Sequence, residues 1–256
     1  GHYAAGIARG LTSPILIENY VRGWTGSLGT YAVDHAFGAV WARPGLIRRD
    51  RSLIVVAMVA ALGGQNPQLA AHVRGALNHG LEPDEIREIA VHLCGYAGFP
   101  RAIEAMRVMN HTIAQELGDK APPPTAASVK DEAARRAEGT EVFQRLTGTL
   151  GTLEPEAAAQ SLEDDLSALG HAAINWGFGE LWTREQLSLR DRSLLIVAVL
   201  STLGRTEQLA FHVPGALNHG VTPEELEEVV LMVSIYAGFP FAASAIKMVR
   251  EHAKTA

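Results

Sequence analysis

The stretch DRSLIVVAMVAALG, at residues 50–63, decides the fold because it recurs as DRSLLIVAVLSTLG at residues 191–204. In both places an Asp-Arg pair precedes an apolar run. A run that is apolar on every face predicts a helix buried on all sides, and the run from Leu53 to Leu62 is too short to span a bilayer. We therefore predict two equivalent central helices, each ended by glycine.

Three further segments recur in the same order, which indicates an internal duplication. They are FGAVW (37–41) with FGELW (178–182), HVRGALNHG (72–80) with HVPGALNHG (212–220), and YAGFP (96–100) with YAGFP (236–240). The offset falls from 141 to 140 residues after the central helix, so one residue has been lost in the second copy. We refer to the copies as the first and second repeat.

A proline-rich segment separates the repeats. Three consecutive prolines in GDKAPPPTAAS (118–128) disfavour helix and favour an extended, semi-rigid chain. We therefore predict a first domain at residues 3–118, a linker at 119–129 and a second domain at 130–256.

Local signals within the repeats predict helices joined by short turns. Asn66-Pro67 has the form of an N-cap followed by proline at the first helical position. Thr222 and Glu225 have the form of a capping box, and Gly98 is placed to end a helix. No segment carries a convincing strand signal, so the predicted fold class is all-α, with antiparallel neighbouring helices.

The composition limits the classes of function. Asp and Glu number 28 against 22 Lys and Arg, for a net charge of −6, and no basic block interrupts that balance. This argues against nucleic acid and membrane surfaces as partners. The single cysteine, Cys94, rules out an internal disulfide and a cysteine metal cluster. We expect a cytoplasmic protein that acts on a small molecule and holds no metal.

The repeated segments together resemble the carboxymuconolactone decarboxylase family. The resemblance covers nearly all of both repeats beyond about residue 30, and it implies two tandem helical domains of the alkylhydroperoxidase-like fold. It also implies lyase activity without a cofactor. Because one-domain members commonly form hexameric rings, it implies a homo-oligomer here, either a trimer of two-domain chains that mimics a hexamer or a dimer.

One branch of that family reduces peroxides through a Cys-x-x-Cys-x-x-x-His motif, which this chain lacks. Counted back from His72 and His212, the cysteine positions hold Gln65 and Gln68 in the first repeat and Arg205 and Gln208 in the second. Peroxide reduction of this kind requires a thiolate. The sequence therefore excludes a thiol peroxidase and resembles the decarboxylases more closely.

His72 and His212 stand at the family's shared histidine position and are the predicted catalytic residues, for acid–base or oxyanion chemistry. The alternative is a core histidine bonded to a neighbouring carbonyl. His79 and His219, at the end of the same helices, are expected to interact with the free helix carbonyls.

Five side chains are the predicted substrate-binding residues: Arg74, Trp41, Tyr96, Glu88 and Tyr236. The guanidinium of Arg74 matches a carboxylate, although an exposed helix charge is an equal alternative. Trp41 either packs over the domain entry or walls an apolar pocket. Glu88 shares a helix with Tyr96, and a solvated or helix-paired carboxylate is its alternative.

The repeats differ beside the histidines. Pro214 stands where the first repeat has Arg74, and proline inside a helix removes a donor and tends to bend it. We therefore expect the second site to be reshaped or vestigial, and the working site to be centred on His72.

The resemblance implies loss of CO₂ from a carboxylated lactone or related carbonyl compound. Such a reaction needs a poorly solvated pocket, a donor for the developing oxyanion and an acid that returns a proton to carbon. We assign the proton or the oxyanion to His72, with Arg74 and Tyr96 orienting the substrate. Two alternatives stay open: isomerisation or cyclisation in secondary metabolism, and a non-catalytic binding or scaffold protein.

Overall fold

The computed structural model describes residues 25–126, 130–150 and 154–253, and these ranges contain helices and no strand. Residues 3–24 of the predicted first domain and residues 127–129 of the predicted linker lie outside them. The helices of the first repeat are α1 (Ser27–Tyr31), the π-helical segment π1 (Ala32–Trp41), α2 (Arg48–Leu62), α3 (Asn66–Asn78), α4 (Pro83–Ala97) and α5 (Phe99–Leu117).

The second repeat has the same series, and two further helices precede that series in the described residues. A short 3₁₀ turn (Gly118–Lys120) follows α5. The helices after it are α6 (Glu132–Thr147), α7 (Pro155–Leu166), α8 (Ala168–Ala172), π2 (Ala173–Leu181), α9 (Leu189–Thr202), α10 (Thr206–Asn218), α11 (Pro223–Tyr236) and α12 (Phe239–His252). The predicted all-α class with two related helical units is confirmed.

The predicted central helices, α2 and α9, pack against each other in the middle of the molecule. Every residue from Asp50 to Ala61 and from Asp191 to Thr202 is buried. α4 of the first repeat also packs on α9, and α11 of the second packs on α2. The two repeats therefore share one hydrophobic core, which explains why both runs are apolar on every face. No helix in the described ranges is both long and apolar enough to cross a membrane.

The two helices that pack against the other repeat, α4 and α11, each begin with a capping box. At α11 the Thr222 hydroxyl accepts from the Glu225 N–H at 3.2 Å, and the Glu225 carboxylate accepts from the Thr222 N–H at 2.9 Å. Glu82 and Glu85 form the same reciprocal pair at α4. These boxes satisfy backbone donors that the first turn leaves unpaired, as the sequence predicts.

The predicted N-cap at Asn66 is wrong by one residue. Asn66 is the first residue of α3, and Gln65 precedes it as the cap. The Gln65 carbonyl accepts the first intrahelical bond, from the Leu69 N–H at 2.8 Å. Pro67 is tolerated within this first turn because its missing N–H has no helical partner there.

The linker is fastened to the start of α4. The Arg87 guanidinium donates to the Pro122 carbonyl at 2.8 Å, and the Thr125 hydroxyl donates to the Asp84 carboxylate. Residues 121–126 are not helical, as three prolines require.

Buried ion pairs join each central helix to the opposite repeat. The Glu88 carboxylate of α4 accepts from Arg192 of α9 at 2.9 Å and from Arg184 at 2.8 Å. Glu88 and Arg192 are 1% and 0% exposed. In the matching pair, Glu228 accepts from Arg51 at 2.8 Å and from Arg43 at 2.7 Å. The expectation that Glu88 is solvated or paired within its own helix is therefore wrong: two arginines of the other repeat hold it.

Neutralising Glu88 should destabilise the whole protein, because it leaves Arg192 buried without its counter-charge. We expect Glu88→Gln to lower the free energy of unfolding by about 3–5 kcal/mol. In a chain of this size, each kcal/mol lost should lower the melting temperature by roughly 2–4 °C. Thermal unfolding followed by circular dichroism measures the change.

The matched control is Glu227→Gln, whose carboxylate forms an exposed pair with Arg250 on the surface. Exposed pairs contribute little, so the melting temperature should stay close to that of the wild type. Equal losses from the two substitutions would contradict the assignment of Glu88 as the buried anchor.

Candidate active site

Each repeat builds an aromatic cluster around the tryptophan that ends its π-helical segment. The Trp182 ring stacks on His212, with ring centroids 6.0 Å apart and planes 8° apart. In the first repeat Trp41 stacks on His72 in the same way, at 6.3 Å and 4°. Pro214 leaves α10 unbroken, with the same 13 residues as α3. Pro214 therefore does not interrupt the helix that carries His212, and a reshaped or vestigial second site stays a prediction.

The tyrosine at each cluster comes from the opposite repeat. The Trp182 indole N–H donates to the Tyr96 hydroxyl at 2.8 Å, and Trp41 donates to Tyr236 at 3.0 Å. The Tyr96 ring lies 5.4 Å from His212, edge to face. Tyr96 is thus placed with His212, and not with His72 as the sequence analysis expected. Both sites are composite.

Each of these tyrosines keeps a hydrogen to donate. An indole N–H is only a donor, so the Tyr96 oxygen accepts from Trp182 and its own O–H points elsewhere. No acceptor for that hydrogen is found among the described residues. Burial raises the pKa of Tyr96 and Tyr236 above the ordinary value, which keeps both hydroxyls protonated at neutral pH.

A cavity of about 690 Å³ opens beside His212. Tyr96, Trp182 and His212 form one end of it, and aromatic side chains including Phe143, Phe178 and Phe211 form its walls. The sequence analysis placed the working site at His72. This cavity belongs to the second site, and it holds a histidine, a tryptophan and a tyrosine with a free hydrogen.

The site histidines are neutral at physiological pH. Burial lowers the pKa of His212 to about 3 and that of His72 to about 4, because a buried imidazolium loses its hydration. His212 is 6% exposed, and its Nδ1 has no hydrogen-bond partner among the described residues. A neutral ring can accept at one nitrogen and donate at the other.

His92 is a site residue that the sequence analysis missed. It is fully buried on α4, and its ring meets Trp182 edge-on at 5.0 Å. Arg192 approaches its Nδ1 at 3.2 Å. The same nitrogen lies 3.3 Å from the Leu181 carbonyl, so Nδ1 either accepts from Arg192 or donates to Leu181 according to the tautomer. Burial and the charge of Arg192 hold the pKa of His92 well below its ordinary value. Met232 replaces His92 in the second repeat, and that difference was the available signal.

His79 and His219 contact serines of the central helices. His79 Nδ1 lies 2.7 Å from the Ser52 hydroxyl, and His219 Nδ1 lies 2.8 Å from that of Ser193. The expected partners were helix carbonyls. Each ring also flanks the site tryptophan, at 5.7 Å for His219 and Trp182, so these histidines brace the aromatic cluster.

Arg74 and Glu88 lie away from the cavity beside His212. Arg74 is half-buried on α3 and forms no hydrogen bond or ion pair within the described ranges. Both carboxylate oxygens of Glu88 are taken by arginines. The role of Arg74 in substrate binding stays a prediction, whereas the contacts of Glu88 place it in the frame that positions Tyr96.

Among the described residues, no group of three His, Cys, Asp or Glu side chains is arranged to hold a metal ion. Cys94 is half-buried, and burial raises the pKa of its thiol to about 11. It aligns with Ser234 of the second repeat, and at neutral pH it is a thiol rather than a thiolate.

Comparisons with known proteins bear on both repeats. The model of the carboxymuconolactone decarboxylase family matches residues 27–111 and again residues 167–251. The chain is 35% identical over 105 residues to 4-carboxymuconolactone decarboxylase of Acinetobacter baylyi, an alignment that covers 41% of this chain and 78% of that protein.

Two eukaryotic proteins are also similar. Nitrosuccinic acid decarboxylase npaB of Metarhizium robertsii is 45% identical over 89 residues, which cover 34% of this chain and 59% of that protein. Peroxisomal protein 2 of Schizosaccharomyces pombe is 27% identical over 205 residues, which cover 74% of this chain and 88% of that protein. The last alignment extends over both repeats.

The buried histidines should make stability fall as the pH is lowered. Their pKa is lower in the folded chain than in the unfolded chain, so the unfolded state binds protons first between pH 6.5 and about 4. At pH 5.5 each such histidine should cost about 1 kcal/mol relative to pH 7.5. Melting temperatures at the two pH values test this.

His212→Gln should reduce the difference in melting temperature between pH 7.5 and 5.5. His111→Gln, which changes an exposed histidine of α5, should keep the wild-type difference. A His212→Gln protein with the full wild-type difference would show that His212 is not buried neutral.

Proposed function

Because this chain belongs to the carboxymuconolactone decarboxylase family, we propose that it is a decarboxylase, whose working site is the composite cavity at His212. Its substrate is a carboxylic acid in which the negative charge left by loss of CO₂ spreads onto a carbonyl-type oxygen. The observation that carries the proposal is the meeting of a free tyrosine hydroxyl, a neutral histidine and apolar walls in one cavity.

The relatives support lyase activity of this kind. Two of them are named decarboxylases, one of 4-carboxymuconolactone and one of nitrosuccinic acid. A lactone carbonyl and a nitro group both accept the electron pair released with CO₂. The shared requirement is a protein donor at the oxygen where this charge collects.

The walls of the cavity favour the release of CO₂. A carboxylate enclosed by the mostly apolar lining of this cavity loses water contacts, whereas the transition state spreads the same charge over more atoms and needs less hydration. Loss of CO₂ breaks one carbon–carbon bond and leaves its electron pair on the substrate. The apolar surround therefore raises the free energy of the starting carboxylate relative to the transition state.

Tyr96 supplies the donor for the new oxyanion. Its oxygen is held by Trp182, and its ring lies against His212, so the hydroxyl is positioned before the substrate arrives. A preorganised donor of this kind costs little reorganisation during the reaction. Tyr96 reaches this place because the pairs of Glu88 with Arg184 and Arg192 hold α4 against the second repeat.

His212 completes the reaction by moving a proton. The carbanion must take one proton, which comes ultimately from water. A neutral imidazole accepts a proton at one nitrogen and releases one from the other, and its low pKa keeps it in this form across the physiological range. Stacking on Trp182 fixes the orientation of the His212 ring, so that in this proposal it faces the reacting carbon.

Removing the Tyr96 hydroxyl should slow the chemical step selectively. We expect Tyr96→Phe to lower kcat by roughly 10²–10³ with a small change in KM, the cost of losing one oxyanion donor. The measurement is release of CO₂ from the carboxylated lactone, carbonyl or nitro acid that the wild-type protein turns over fastest, in a screen that includes 4-carboxymuconolactone and nitrosuccinate, the acids of the two named decarboxylases.

Tyr236→Phe is the matched control because Tyr236 accepts from Trp41 at the other site. It should keep most of the activity if the site at His212 is the working one. The reverse order of the two variants would move the working site to His72. A well-folded wild-type protein that releases no CO₂ from any carboxylated lactone, carbonyl or nitro acid would disprove the proposed function.

A further inference from the structure

The cavity at His212 has an uneven distribution of charge. The charged side chains among its described lining residues are Asp165 and Glu207, both exposed at its mouth, and no lysine or arginine lines it. The rest of the lining is mostly aromatic and aliphatic. An anionic group near the mouth therefore meets two carboxylates of its own sign and no counter-ion.

Positive charge reaches the cavity only at its inner end. Arg192 is fully buried behind Tyr96 and His92, and its charge acts on the Tyr96 hydroxyl. One carboxylate at this end meets the net charge of +1 left by Arg184, Arg192 and Glu88, while the Tyr96 hydrogen stays available for the oxygen where the charge collects. A second carboxylate, farther out, would lie among phenylalanines without a partner and would lose hydration that nothing replaces.

The aromatic wall is formed by side chains of the second repeat. Phe143 packs edge to face on Phe178 at 5.4 Å and stacks with Phe211 at 6.1 Å, and Phe211 meets His212 at 5.2 Å. The first repeat has Ala71 where the second has Phe211. Flat faces arranged in this way match planar rings, which pair with aromatic side chains in offset or edge-to-face geometry.

The size of the cavity points the same way. At about 690 Å³ it falls in the range of roughly 300–1,000 Å³ that encloses ligands of drug size. A four-carbon diacid would leave most of the wall in contact with water or with nothing.

We propose that the substrate of the His212 site is a monocarboxylate on a planar, mainly apolar ring system, and not a small dicarboxylate. This rests on the proposed function and narrows it. The single carboxylate lies toward Tyr96 and Arg192, and the rings lie between Phe143, Phe178 and Phe211. Loss of the carboxylate as CO₂ leaves an uncharged product, which the apolar walls accept without penalty after protonation at carbon.

Binding of probes that differ in their number of carboxylates tests the preference for a monocarboxylate without relying on turnover. Isothermal titration calorimetry of the full chain compares 2-naphthoate with naphthalene-2,6-dicarboxylate, which has the same rings and one more carboxylate, and with succinate. We expect 2-naphthoate to bind at least about tenfold more tightly than the dicarboxylate, and succinate to give no measurable heat. Equal or tighter binding of the dicarboxylate would overturn the proposal.

Two variants connect the binding to this cavity. Gly177 lines it, and a Cβ built there meets no atom within 4 Å. Gly177→Leu should therefore fill the space and abolish 2-naphthoate binding, whereas Gly177→Ala should retain it. If the leucine variant does not fold, Phe211→Ala replaces it, with an expected weakening of about three- to tenfold. Unchanged 2-naphthoate affinity in the folded filling variant would overturn the proposed location.

Neutralising the carboxylates of Asp165 and Glu207 should strengthen the binding of a dicarboxylate. The double variant Asp165→Asn, Glu207→Gln should bind naphthalene-2,6-dicarboxylate several-fold more tightly and 2-naphthoate nearly as before, since only the dianion places charge at the mouth. An unchanged ratio of the two affinities would contradict the proposal that Asp165 and Glu207 repel a second carboxylate.

The proposal and the proposed function fail in different ways. Selective 2-naphthoate binding by a chain that releases no CO₂ from any acid supports this ligand class and disproves decarboxylation. Release of CO₂ from nitrosuccinate, together with equal binding of the mono- and dicarboxylates, supports decarboxylation and disproves this ligand class.

Discussion

A buried carboxylate of each repeat is held by two arginines of the other, and the rest of the structure depends on this exchange. Glu88 and Glu228 lie in the shared core, where a charge without a partner costs several kcal/mol. The carboxylate paired with each central arginine, Arg51 or Arg192, comes from the other repeat. The two repeats therefore fold as one body, although their sequences are those of two separate units.

The same exchange builds the sites. The helix that carries Glu88 also carries His92 and Tyr96, so pairing with Arg192 brings both rings to Trp182. The site is consequently made from two repeats before any substrate binds. A tyrosine fixed in this way is a better oxyanion donor than one on a loop, because its geometry has already been set by burial of the helix behind it.

Fusion of the repeats lets the two composite sites diverge. In an assembly of identical one-domain chains, every site has the same residues, but here His92 faces the second repeat while Met232 faces the first. Phe211 of the second repeat and Ala71 of the first are a second such difference between equivalent positions. The sequence shows that the copies differ near their histidines and predicts the working site at His72, whereas the proposed function places it at His212. Proline at position 214 predicts a bent helix from its local effect, and α10 nevertheless runs through it from Thr206 to Asn218.

The sequence by itself determined the central helices and the capping boxes, because those signals lie within a few turns of chain, and it determined the duplication, because two segments can be compared directly. It also singled out Trp41, His72 and His212. It also identified Tyr96 and Glu88 as residues of interest. Only the tertiary structure decided that Tyr96 belongs with His212, that Glu88 anchors a helix, and that His92 joins the site. Those are contacts across some 90 to 120 residues, and helical periodicity carries no information about which distant face a buried side chain meets.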